Sequence, residues 1–245
     1  MASVLILTRL RQPINTWLRR FNSMSSPTIL FVLCVNDESM FQACFRQLAS
    51  LPAPHGYHVE VLPIRHASSM ASAYNEALAH PAQFKIYLHQ DTLIVKQHML
   101  LELIPLFLQN PSLGMLGVIG AESVPDNGIW WESHDCRGKV IEYRHDTYQL
   151  LTFESGHPQT ETQGYIKASA IDGLFMATQY DIKWREDLLD GFHFYDVSQS
   201  FEFAQQGYEV GIARQVEPWC IHKCGDHFDA EAYEKARQTF LANYR

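Results

Sequence analysis

Between residues 28 and 119 the apolar and polar positions fall into blocks that suit strands and helices in turn. Thr28 to Val35 (TILFVLCV) is unbroken and apolar, which predicts a strand buried on both faces. Asn36-Asp37-Glu38 ends it. Phe41, Phe45 and Leu48 then mark one face of a helix whose acids lie at the N-terminus, where the macrodipole favours them. Tyr57 to Ile64 alternates and predicts a second strand, and Ser68 to Leu78 reads as a small-residue loop feeding a helix that Pro81 closes. Phe84 to Leu88 predicts a third strand, turning abruptly polar at His89-Gln90-Asp91. A helix around Gln97 to Leu108, stopped by Asn110-Pro111, and an apolar run from Met115 to Ile119 follow. This alternation predicts an α/β fold with a central, mostly parallel sheet flanked by helices.

From Glu122 the periodicity changes. Trp130 and Trp131 precede segments at Gly138 to Tyr143, Tyr148 to Glu154 and Tyr165 to Ala170 that read as short strands, an irregular or antiparallel insertion over the sheet's active edge. Asp172-Gly173 stands before an apolar run ending at Ala177. Further on, Val197, Phe201 and Ala204 mark a helix ended by Gly207, and Tyr208 to Ala213 returns as a strand. A last helix is expected around Ala230 to Leu241.

The chain has 245 residues and is 47% hydrophobic, enough for a substantial core. Nineteen Lys and Arg against 27 Asp and Glu leave a net charge of −8, which argues against a nucleic-acid partner. The five cysteines are scattered and no secretory signal precedes them, so reduced thiols and a cytoplasmic setting are expected. Residues 1–26 differ from the remainder, 27–245: no acid occurs before Asp37, and Pro13 opens a stripe of Ile14, Trp17, Leu18 and Phe21 flanked by arginines. Such a helix over 13–21 either lies peripherally on the inner face of an anionic membrane or packs on this protein or a partner subunit. A start at Met24 is the alternative.

Three constellations carry candidate chemistry. Asp91 follows a strand's C-terminal end, where open α/β sheets bind ligands, and its oxygens suit a hard divalent cation able to hold a diphosphate; the plainer reading is a turn. Asp196, in His193-Phe194-Tyr195-Asp196, falls at or just before a helix N-terminus as a charged group or simply an N-cap. Cys220, His222, Cys224 and His227 offer zinc-type ligands at a spacing unlike a usual finger. His193 reads either as a relay partner for Asp196 or as a packed side chain, and Trp130 and Trp131 either as a sugar platform or as core.

Taken in order, Asn-Asp-Glu after the first strand, Ala-Tyr-Asn in the small-residue segment, HQD, Asp-Gly, HFYD and a late histidine resemble the glycosyltransferase-like family of GT-A fold, among inverting nucleotide-sugar transferases. The resemblance runs from about Thr28 to His222. It implies that Asn36, Asp37 and Glu38 contact the donor's base and ribose, and that Asn75 lies near its nucleotide. His89-Gln90-Asp91 stands in place of the Asp-x-Asp motif, with His89 replacing the first acid. Asp91 and His222, with His89 as a further ligand, would then hold Mn²⁺ or Mg²⁺. Asp172 and Gly173 match the wall of the sugar and acceptor pocket, and Asp196 the general base. The implied partners are a nucleotide-diphosphate sugar donor and a carbohydrate or glycoconjugate acceptor; the oligomeric state stays open. A non-catalytic nucleotide-sugar or glycan-binding protein and a nucleotidyltransferase are the competing classes. The latter usually needs a glycine-rich, basic loop where this chain has Asn36-Asp37-Glu38.

Overall fold

The computed structural model describes residues 4–6, 26–154, 164–225 and 228–245. The amphipathic helix expected over 13–21 lies outside them, as does His227. The chain runs through β1 (Val4–Ile6), β2 (Thr28–Val35), α1 (Glu38–Leu48), β3 (His58–Arg65), α2 (Met70–Ala77), β4 (Phe84–His89), β5 (Thr92–Ile94) and α3 (Met99–Gln109). Its second half is richer in strands: β6 (Leu113–Gly117), β7 (Ile119–Ala121), β8 (Cys136–Arg144), β9 (Thr147–Glu154), β10 (Tyr165–Ala168), β11 (Ala170–Ile171) and β12 (Phe175–Thr178). After these come α4 (Tyr195–Gln205), β13 (Glu209–Ala213), β14 (Cys220–His222) and α5 (Ala230–Tyr244).

β2 lies inside an eight-stranded sheet of order β1-β3-β2-β4-β12-β6-β13-β10. Its side chains alternate between two cores, as the period of two requires. Ile29, Phe31, Leu33 and Val35 join α1 and α3 on one face, and Leu30 and Val32 join α2 on the other. Each early helix is capped by its own sequence. Asp37 accepts from Met40 N at 2.9 Å to start α1, and Ser69 and Ser72 form a reciprocal capping box at α2. Val4–Ile6, within the segment expected to stand apart, pairs in parallel with β3.

The sheet departs from a purely parallel one at its centre, where β12 runs antiparallel to both β4 and β6. Two expected strands are also each cut in two. The run from Met115 to Ile119 breaks at Val118 into β6 and β7, and Tyr165 to Ala170 breaks at Ser169 into β10 and β11. In both cases the first part belongs to the large sheet and the second to a six-stranded sheet of order β11-β7-β8-β14-β5, with β9 on β8. β6 and β7 are buried throughout, so hydrophobicity alone does not register their bend, whereas β10 is mostly half-buried and its break falls at Ser169.

The junction of the sheets is close. At Gly138, opposite Ile119, φ is +101° and a Cβ would lie 2.0 Å from the Val118 carbonyl oxygen. A side chain there meets both backbone strain and a clash. Gly138→Ala is therefore expected to lower stability by about 3 kcal/mol, read from the midpoint of chemical denaturation.

Candidate active site

β4 of the large sheet and β5 of the small one are joined by Gln90 and Asp91 alone. β14 returns antiparallel to β5 with His222 opposite Thr92, and Lys223 N donates to Asp91 O at 2.9 Å. That pairing brings a histidine 131 positions along the chain back to the HQD turn. Donor atoms of His89, Asp91 and His222 all lie within 4.8 Å of one another, the group with metal-ligand character among the described residues. His222 Nε2 is 3.4 Å and His89 Nδ1 3.9 Å from Asp91 Oδ1. These are ion-pair contacts without hydrogen-bond geometry, so Asp91 Oδ1 is buried with no hydrogen-bond partner. An orphaned carboxylate oxygen facing two imidazoles is a donor set that fits a divalent cation.

Charge follows from these surroundings. Burial lowers the His89 pKa below the usual imidazole value. Burial alone would raise Asp91, but His222 and His89 outweigh it and hold the carboxyl below its ordinary range. His222 is also opposed by burial, yet Asp91 and Cys224 raise it to about 10. Its Nδ1 lies 3.1 Å from Cys224 Sγ, which leaves Nε2 turned towards Asp91.

The HFYD segment forms the opposite wall. Phe194, not Asp196, is the N-cap of α4, in the left-handed region at φ 60° and without a side-chain cap bond. Phe194 is held there by packing against Tyr233 and Phe240, with ring centroids 5.1 and 5.4 Å away. Asp196 lies inside the first turn, so an N-cap role does not describe it. Its Oδ2 accepts from Gly173 N and its Oδ1 from Val197 N, each at 2.9 Å. Burial first, and then the charge of Asp172, raise its pKa to about 7. Tyr195 turns the other way and hydrogen-bonds His89 Nε2 through its hydroxyl. A Cβ on Gly173 would lie 2.0 Å from that hydroxyl, so the close approach requires glycine.

Two pockets meet at this wall. One, of about 260 Å³, is lined by Asp172, Gly173 and Asp196 together with Trp131, Phe228 and Tyr233. The other, of about 480 Å³, is lined by Asn36, Gln90, Asp91, Arg144 and Cys224. His89, Phe192, His193 and His222 line both.

The remaining residues singled out in the sequence divide clearly. Asn36 and Glu38 line a third pocket of about 270 Å³ with Arg65, whose guanidinium meets the Glu38 carboxylate at 3.0 Å. Asp37 is occupied as the α1 cap. Gln90 Oε1 accepts from both Asn36 N and Asp37 N at 3.0 Å, fixing the first loop against the end of β4. Asn75 stands outside the cluster, with its amide donating to Trp184 O and accepting from Trp184 N, each at 2.9 Å. Trp130 is core and Trp131 is half-exposed at the pocket. Cys220 is buried in the core, and all five cysteines are free. Tyr195, Phe192 and Tyr233 escaped the sequence reading; the one available signal was that Tyr195 adjoins Asp196.

A profile described as "Glycosyltransferase like family" matches residues 30–244. A search of curated protein sequences found no match. Among solved structures, the mannosyltransferase PcManGT from Pyrobaculum calidifontis, in complex with GDP-Man and Mn²⁺, is 13% identical, with a TM-score of 0.48 over 89% of this chain and 70% of that one. GalNAc-T7, with UDP, GalNAc and Mn²⁺, is 9% identical, with a TM-score of 0.51 over 90% of this chain. The chain spans 48% of the length of GalNAc-T7, and the likeness is one of fold. Among the described residues no helix is long and apolar enough to cross a membrane.

The position of Asn75 can be checked directly. Asn75→Ala removes both bonds to Trp184 and is expected to cost about 2 kcal/mol, read by denaturation, without altering affinity for nucleoside diphosphates.

Proposed function

Because the chain belongs to the glycosyltransferase like family and has the GT-A fold, we propose that it moves a sugar, with inversion, from a nucleoside-diphosphate sugar to a hydroxyl of a carbohydrate or glycoconjugate acceptor. The observation carrying this reading is the wall shared by two pockets, with Asp91 on one side and Asp196 on the other. A sugar seated across that wall has its leaving group beside Asp91 and an incoming hydroxyl beside Asp196. Displacement through opposite sides of one carbon inverts its configuration.

An acceptor hydroxyl is a poor nucleophile at neutral pH, and Asp196, a carboxyl lining the acceptor-side pocket, would take its proton. Gly173 N and Val197 N fix the carboxylate's direction. Its raised pKa brings its basicity close to neutrality, where proton transfer from the hydroxyl is best driven. Asp91, His222 and His89 would hold the divalent cation, His222 giving up its proton to do so, and the ion when bound would neutralise charge on the departing diphosphate. Two imidazoles and one carboxylate favour Mn²⁺ over Mg²⁺, which prefers oxygen ligands. Asn36 and Glu38 line the adjoining pocket and would contact the nucleotide.

Asp196→Asn is expected to lower transfer at least about 100-fold while nucleoside-diphosphate binding stays at the parent level. Transfer at the parent rate would reject Asp196 as the base. Asp91→Asn should abolish the Mn²⁺-dependent part of nucleoside-diphosphate binding, measured as the rise in melting temperature with and without the ion. If no nucleoside diphosphate raises it in the parent, the donor assignment is wrong.

pH supplies a separate check. Only ionised Asp196 can accept a proton, so kcat/KM should rise with pH through about 7 and then level off. Stability should move the other way. Folded Asp196 keeps its proton up to about pH 7, whereas an unfolded carboxyl releases it at about pH 4. Between those values the folded state binds more protons and the parent loses stability as pH rises. Asp196→Asn should lack that component of the fall.

A further inference from the structure

The pocket on the Asp91 side contains one lysine or arginine among its described lining residues, Arg144. It is the last residue of β8, in the hairpin that the sequence shows as short strands of an irregular or antiparallel insertion. An exposed arginine at a hairpin tip is ordinarily just a solvated charge. Three observations set this one apart.

The first is its placement. β8 runs parallel to β14 with Glu142 opposite His222, so the strand continues past the histidine and delivers Arg144 two residues beyond it. The tip is stiff. His145 and Asp146 make a two-residue turn with φ 49° and 56°, the left-handed pair that suits the twist of a tight hairpin. The Tyr143 and Tyr148 rings pack across the strands with centroids 4.6 Å apart and planes tilted by 45°, Tyr143 OH donates to Asp146 Oδ1 at 3.0 Å, and Lys223 Nζ sits 5.7 Å from the Tyr143 ring.

The second is an incomplete complement of partners. Among the described residues Arg144 makes one ion pair, with Glu142 at 3.4 Å, and its side chain remains 47% exposed. A guanidinium presents five donors in a planar fork that matches phosphate oxygens, and one loose carboxylate contact does not use them.

The third is charge balance. With His89 where an acid is usual, the cation cluster holds a single carboxylate, Asp91. A divalent ion over one carboxylate leaves one positive charge, against the two negative charges of a nucleotide-sugar diphosphate. Arg144 supplies the missing one.

We infer that Arg144 grips the diphosphate of the donor, as a fixed cation carried by the β8–β9 hairpin beside the His89, Asp91 and His222 cluster. This rests on the donor reading proposed above. Arg144 stabilises charge on the leaving group and takes no proton from the acceptor.

The test is titration of the full chain with UDP, GDP, ADP, CDP and dTDP in the presence of Mn²⁺, followed by the same titration of Arg144→Gln and Arg144→Lys with whichever diphosphate binds and with its parent nucleoside. Arg144→Gln is expected to weaken diphosphate binding about tenfold, equivalent to about 1.4 kcal/mol, with nucleoside binding and melting temperature unchanged. Arg144→Lys should recover part of the loss, because the charge is kept and the fork is not. An unchanged diphosphate affinity in Arg144→Gln overturns the inference while leaving the donor reading intact. An equal loss for diphosphate and nucleoside overturns it too, since the side chain would then serve the base or ribose. If the parent binds none of the five diphosphates, the donor reading falls first and takes this inference with it.

Discussion

The close approach of Tyr195 to the backbone at Gly173 is the contact through which the two halves of the site are joined. The tyrosine's ring crosses the chain where a side chain would stand 2.0 Å from its hydroxyl, and that hydroxyl reaches His89 in the group it forms with Asp91 and His222. The same glycine gives its backbone N–H to Asp196. One missing Cβ therefore couples the end of β4, the start of β12 and the first turn of α4. The strained φ of Phe194 belongs to this arrangement, since it starts the helix whose first two side chains, Tyr195 and Asp196, take different partners, His89 for the one and the Gly173 and Val197 backbone for the other.

Around this junction the protein places two carboxyl groups in opposite electrostatic settings. Asp91 lies between histidines that offset the cost of its burial, and it stays charged. Asp196 has backbone N–H groups but no cation beside it, with Asp172 as a nearby like charge, and its pKa rises to about 7. Pairs of carboxyls pushed apart in this way are a recurrent means of giving one acid a fixed charge and another a mobile proton. Burial is common to both; the neighbours decide the sign.

Much of the first half was legible in the chain. β2, α1, β3 and β4 fall where the apolar blocks put them because each block is bounded by its own caps and turns, such as Asp37 and the Ser69 and Ser72 box. The second half was less so. β6 and β7 read as a single strand because their bend occurs inside a buried run, where a change of sheet leaves the hydrophobic pattern intact, and β10 and β11 read as one because only Ser169 separates them. The antiparallel direction of β12 was equally invisible, because a short strand's composition is the same in either direction.

The site divides on the same principle. Residue types and their order carried the resemblance to the family, and through it they put forward Asp91, His222 and Asp196 as candidates, since chemistry restricts which side chains can hold an ion or accept a proton. Their mutual geometry came from pairing between β5 and β14, a contact across more than half the chain that no local signal encodes. Only the fold shows that Asn75, which its motif puts near the nucleotide, bonds the Trp184 backbone and that Gln90 bonds the first loop. Arg144 had no local signal either, because its position depends on the register of β8 against β14. Identity of side chains is written locally and survives in a one-dimensional reading. Direction, distance and charge state arise from neighbours remote in sequence, and only the folded chain sets them.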